Sequence, residues 1–196
     1  MRPPRTYSVI AALSWPILYG LFRLRARGHE NIPRDGGFVL ACNHVSNFDP
    51  WPLGMPLWPR RFLRFMAKSE LYWWPLKYVL EAGGAFPVRR GEKDEQAIET
   101  AVELCRAGHC VVMFPEGTRQ TKGLRKRWQA RPHTGAARIA YDAGAPLVPA
   151  AIKGADRLSR LGPLRVAYGA PIEASDDSRE TTERLMDEIR RLYETL

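Results

Sequence analysis

Short apolar runs separated by stretches of helical spacing constrain this chain most, because that alternation builds an α/β domain and not a helix bundle or a β-sandwich. Phe38–Ala41, Phe62–Met66, Ala85–Val88, Cys110–Phe114, Leu147–Ile152 and Leu164–Tyr168 are the expected strands. Between them, Glu95–Ala107 sets Ala97, Ile98, Ala101, Val102, Leu104 and Cys105 at helical spacing, and Gly108 follows as a stop. Two more helices are expected over Thr134–Ala143, ending at Gly144, and over Arg179–Tyr193, where Ile189 and Leu192 continue the face begun by Leu185. A chain of 196 residues suits one domain that buries most of the surface its unfolded form exposes. No repeat, low-complexity segment or linker divides it.

The formal net charge of +9 is uneven. Arg23, Arg25 and Arg27 cluster early, and Arg119, Lys122, Arg125, Lys126, Arg127 and Arg131 cluster mid-chain. Such surfaces attract anions: nucleic acid, anionic lipid, or phosphorylated substrates and carriers. Cys42, Cys105 and Cys110 are odd in number and lack zinc or redox spacing, which fits buried thiols in a reducing compartment.

The first apolar stretch, Tyr7–Phe22, is interrupted by Ser14 and Pro16 and falls short of the roughly 20 residues that a spanning helix needs. Arginines follow it directly and no small-residue cleavage site appears, so it does not read as a signal peptide. An interfacial helix fits: Trp15, Ile17, Leu18, Leu21 and Phe22 enter the headgroup boundary while flanking arginines meet lipid phosphates. An amphipathic helix packed on the protein's own core is the other reading. A second segment, Leu71–Leu80, concentrates aromatics in Tyr72, Trp73, Trp74 and Tyr78 and carries the same two readings, a membrane interface or burial under the sheet.

Three stretches carry chemistry. Asn43–Pro50 puts His44 and Asp49 five residues apart just after an apolar run, the pairing of a base with its orienting carboxylate. Asp49-Pro50 also reads as a helix start, with the aspartate as N-cap and proline at the first helical position. Val111–Arg119 is a buried-strand pattern ending in a turn with Glu116, Gly117, Thr118 and Arg119, where a glycine admits close backbone approach and a guanidinium matches phosphate. Gly83–Gly91 sets glycines before a short strand and Arg89-Arg90 after it, a second anion contact or a plain surface pair.

Together these blocks resemble the glycerophospholipid acyltransferases, in particular the PlsC-type 1-acylglycerol-3-phosphate acyltransferases. His44 and Asp49 fit the H-x4-D block, Gly84 to Arg90 the G-x-x-x-x-x-R block, and Phe114 to Arg119 reads F-P-E-G-T-R letter for letter. Val148-Pro149 sits where a fourth block falls. The resemblance covers Gly37–Ile152 and implies a central mixed β-sheet flanked by helices. With the interfacial helix read above, the expected division is an N-terminal membrane-interfacial helix, residues 1–28, and an acyltransferase domain, residues 29–196. By the same resemblance His44 is a general base held by Asp49, no acyl-enzyme forms, and no metal or cofactor is needed. The donor is acyl-CoA or an acyl-carrier protein, and the expected acceptor is 1-acylglycerol 3-phosphate, giving phosphatidic acid; another lysophospholipid or glycerol 3-phosphate as acceptor, or a non-catalytic lipid-binding module of the same fold, are the other readings.

Arg90 and Arg119 are then expected on the acceptor phosphate with Lys68 beside them, and Gly84, Glu116, Gly117 and Thr118 shape the pocket. Anionic lipid at the cytoplasmic face of the cell membrane is the implied surface, with the protein peripheral or monotopic. Nucleic acid is not an expected partner: the Arg119–Arg131 cluster and Trp128 would serve it, but it leaves His44 and Asp49 unexplained. The chain departs from the family where Arg131-Pro132-His133-Thr134 precedes Gly135 in place of a lysine, and at Pro87 and Arg89.

Overall fold

In the computed structural model, which describes residues 3–88, 94–117 and 132–196, the alternation expected from sequence becomes one mixed sheet between two helical layers. The elements in chain order are α1 (Arg5–Trp15), β1 (Arg25–Arg27), β2 (Phe38–Cys42), α2 (Pro50–Gly54), β3 (Leu63–Lys68), α3 (Leu76–Ala82), β4 (Ala85–Val88), α4 (Asp94–Arg106), β5 (Cys110–Met113), α5 (Gly135–Ala143), β6 (Leu147–Lys153), β7 (Arg165–Tyr168) and α6 (Ser178–Glu194). A π-helical turn, Pro16–Leu21, continues α1. The seven strands lie in the order β1-β7-β6-β2-β5-β3-β4. β2 to β6 run parallel, while β7 pairs antiparallel with β6 and parallel with β1, so the sheet is mixed.

β1 was not among the expected strands. Arg25-Ala26-Arg27 has no apolar run, and it forms a strand because β7 offers its backbone an edge, with Arg25 opposite Arg165 and Arg27 opposite Ala167. β3 begins and ends later than expected, which carries Lys68 to the strand's last position, opposite Val88 of β4.

Side chains alternate across the strands and fill two apolar layers. Phe38, Leu40 and Cys42 of β2 pack with Leu53 and Met55 around α2 and with Ala11 of α1. Val39 and Ala41 point the other way, against Ala101 of α4, Ile139 of α5 and Leu185 and Ile189 of α6. Tyr168, fully buried at the end of β7, donates its hydroxyl to Leu53 O at 2.6 Å and so pins α2 over the sheet. That burial pushes the phenol's pKa well up.

β2 sits at the centre with parallel neighbours on both sides, β5 and β6. The carboxyl ends of parallel strands are where open α/β sheets place their chemistry. His44 follows β2 there, Glu116 follows β5, and Lys68 closes β3.

Candidate active site

The site grows from the turn between β2 and α2. Asn43, buried at the end of β2, turns its amide toward β6: Nδ2 donates to Ile152 O at 3.0 Å, and Oδ1 accepts from Ile152 N at 2.8 Å. The clasp fixes the strand end from which His44 departs. Sequence inspection did not single out Asn43, since its partner is 109 positions away.

Asp49 occupies the N-cap position of α2, with Pro50 first in the helix, but its side chain caps nothing. It reaches backward. Oδ2 lies 2.7 Å from His44 Nδ1 and accepts the backbone N–H groups of Val45 at 2.8 Å and Ser46 at 2.9 Å. Asp177, by contrast, caps α6 forward by accepting from Arg179 N and Glu180 N. Both readings of Asp49 therefore apply to different atoms: its backbone starts the helix while its carboxylate serves the histidine.

Asp49 is 0% exposed and the His44 side chain 16%. A carboxylate can only accept, so the Nδ1 proton lies on the imidazole and Nε2 keeps its lone pair free for another proton. Phe114, directly after β5, stacks on the imidazole with centroids 4.1 Å apart and planes 21° apart. The ring is thus held from its edge by a carboxylate and on its face by an aromatic.

Glu116 closes the other side. The residue is 7% exposed, and its carboxylate accepts the backbone N–H of His44 at 3.3 Å, so the β5 turn and the β2 turn are joined through the histidine's own amide. Gly117 has φ +67°, which favours glycine in this turn, and the His133 imidazole lies over it, 2.4 Å from where a Cβ would stand. His133 in turn donates its backbone N–H to Pro115 O at 2.7 Å. Cys42, next to the clasp, is no rival nucleophile: burial pushes its thiol well above the usual range, whereas reactive thiols ionise readily.

The matching family model, Acyltransferase, spans residues 23–153, and so takes in both turns and every strand that carries them. The chain is 35% identical over 153 residues to the 1-acyl-sn-glycerol-3-phosphate acyltransferase of Bacillus subtilis, covering 75% of this chain and 72% of that one. The chain belongs to the acyltransferase family, in its PlsC-type branch. A chloroplastic 1-acyl-sn-glycerol-3-phosphate acyltransferase of Arabidopsis thaliana is 26% identical over 170 residues, 81% of this chain but only 46% of that longer protein. Among solved structures, the 1-acyl-sn-glycerophosphate acyltransferase PlsC from Thermotoga maritima superposes with a TM-score of 0.69 at 24% identity, covering 94% of this chain and 76% of that one, a likeness of fold.

Of the residues expected in the acyltransferase's site, His44, Asp49, Glu116 and Gly117 come together as described. Lys68 stands at the same sheet end, as the last residue of β3. Gly84 has a packing reason of its own: with φ +94° at the entry to β4, a Cβ there would lie 2.1 Å from Leu63 O. It lies at the opposite end of β4 from Val88, the residue facing Lys68. Arg90, Thr118 and Arg119 lie outside the described residues, as does the whole mid-chain basic cluster from Arg119 to Arg131. Phe114 belonged to the motif as read but not to the expected site; an aromatic adjoining a turn that bears a carboxylate was the available signal.

Proposed function

We propose that the protein transfers a fatty acyl group from an acyl thioester, acyl-CoA or acyl-carrier protein, to the free hydroxyl of 1-acylglycerol 3-phosphate, giving phosphatidic acid. The observation that carries the mechanism is the convergence of His44 Nδ1 and two backbone amides on Asp49 Oδ2. Those three donors fix the carboxylate, and the carboxylate fixes the tautomer.

Nε2 of His44 takes the proton of the acceptor hydroxyl as the oxygen attacks the thioester carbonyl. The imidazolium that forms is stabilised by Asp49. The tetrahedral intermediate collapses, the C–S bond breaks, and the proton held at Nε2 passes to the departing sulfur, leaving ester and free thiol. No group of the protein is acylated. Lys68, Arg90 and Arg119 hold the acceptor phosphate in this reading, and Thr118 with Gly117 shapes the pocket. Support for the acceptor comes from the names of the Bacillus, plant and Thermotoga relatives; other lysophospholipids and glycerol 3-phosphate are the neighbouring candidates.

The reading includes a membrane location. No helix among the described residues is long and apolar enough to cross a bilayer. α1 leaves Val9, Leu13 and Trp15 exposed, and the π-helical turn leaves Ile17 and Leu21 exposed, while Ala11, Ser14 and Leu18 face the core. The N-terminal segment accordingly lies in the interface as a peripheral or monotopic anchor on the cytoplasmic face, with residues 29–196 forming the catalytic domain.

The test is incubation of wild-type and His44→Ala protein with a panel of lysophospholipids and both donor types, followed by mass analysis of the lipid products. Phosphatidic acid from the wild type, reduced by about 10²–10⁴ in the variant, is expected. Absence of any acylated product from the wild type would overturn the reaction. Equal product from the variant would overturn the role of His44.

A further inference from the structure

We infer that the segment from the end of β3 into α3 is a second lipid-docking element, in which Leu71, Trp73, Trp74, Tyr78 and Val79 seat in the headgroup boundary of an anionic bilayer. It thereby turns the mouth of the His44 site toward the membrane. This rests on the acyl-transfer reading, which requires a lipid acceptor at that mouth.

Placement comes first. β3 ends at Lys68, at the same sheet end as His44, and Ser69–Leu71 and Trp73-Trp74 follow before α3 runs back toward the start of β4. Right-handed crossovers put α3, joining parallel β3 to β4, on the face already covered by α2, which joins β2 to β3 in the same direction across the sheet. Val45 and Phe114, which flank and stack on His44, pack in the apolar layer of that same face.

Exposure comes second. Trp74 is 75%, Val79 60% and Trp73 58% exposed, and α3 buries no residue completely. Five large apolar side chains thus stand exposed within nine residues, and indole and phenol rings favour the boundary between headgroup and acyl chain. Two other groups share this sheet end: Trp15 with its π-helical turn just before β1, and Phe48 and Trp51 around the entry to α2. Exposed apolar side chains therefore stand on several sides of the turn that bears His44.

Charge selects the occupant. Residues 1–28 hold five arginines and no acidic residue, which complements an anionic lipid surface. Residues 69–82 carry only Lys77 against Glu70 and Glu81, and Lys77 folds over the Tyr78 ring with Nζ 4.9 Å from its centroid. Attraction at long range comes from the N-terminal arginines, and α3 contributes by apolar insertion, which salt does not screen.

Co-sedimentation of the full chain with vesicles of phosphatidylcholine and phosphatidylglycerol tests this, using wild type, Trp73→Ser, the Trp73→Ser/Trp74→Ser pair, and Tyr141→Ser, an exposed position on α5 across the sheet, as control. The pair should weaken partitioning by about tenfold or more, equally at low and high salt, with the single variant between and the control unchanged. Turnover of a vesicle-borne acceptor should fall in step, while a short-chain acceptor dissolved as monomers is turned over as before. Quenching of tryptophan fluorescence by bromine-labelled acyl chains should be deeper in wild type than in the pair, since Trp15 and Trp51 report in both. Partitioning of the pair like wild type, a loss confined to low salt, or a wild-type dimer that the pair converts to monomer would overturn the docking role. Failure of wild type to acylate either acceptor form would instead sink the acyl-transfer reading, and the vesicle arm would still decide docking by itself.

Discussion

The two faces of the sheet solve the same packing problem and treat their surroundings differently. On one, α4, α5 and α6 bury residues such as Ala101, Ile139 and Leu185 and present charge outward. Arg138 lies near Glu95 of α4 and Asp142, and α6 is laced by Arg179–Glu183, Arg190–Asp187 and Arg191–Glu188 pairs. On the other, α1, α2 and α3 bury less of themselves and turn leucine, valine and tryptophan outward. Among the described residues of the helices α4, α5 and α6, Tyr141 is the lone large exposed apolar side chain. A helix covering a core need not be apolar outside, so the exposed side chains of α1 to α3 call for a separate cause. The site lies on their face.

The comparison can be broken in several ways. Asp49→Ala removes the acceptor of three hydrogen bonds: acyl transfer should fall by about 10²–10⁴, and the freed amides should lower stability by about 1–3 kcal/mol, read from turnover and denaturant unfolding. Leu185→Ala, at a fully buried position on the inner face of α6, should lower stability by about 2–5 kcal/mol while vesicle binding of the folded protein stays the same. The mirror experiment is Leu13→Ser with Trp15→Ser on α1, where unfolding should be nearly unmoved and vesicle partitioning about tenfold weaker. A change in stability without a change in partitioning there would erase the distinction between faces. Smallest of all, Arg190→Ala breaks an exposed pair on α6 and should shift stability by no more than about 0.5 kcal/mol, with no effect on vesicles or turnover.

What could be read from the sequence was local. The apolar runs gave every strand but β1, whose formation depends on an edge offered by β7 and leaves no mark in Arg25-Ala26-Arg27. His44 and Asp49 were legible because five residues and a proline bring them round one turn. The bond from His44 N to Glu116 spans 72 positions, and Asn43 to Ile152 spans more, so neither has a pattern to recognise. Gly84 shows the converse: it was legible as a constrained glycine, but its constraint is the closeness of Leu63 O. The aromatic segment after β3 could be named from sequence but not placed, because burial and exposure use the same residues. Their exposure, with no element among the described residues burying them, separates the two.

The Asn43 clasp also orders events in time. During synthesis the residues of the His44–Asp49 turn emerge about a hundred residues before β6, which holds that turn to the sheet. The unfinished protein therefore lacks the strand that aims the pair. A ribosome-bound fragment ending before Ile152 should be catalytically silent, and full activity should arrive with the last third of the chain rather than accumulate along it.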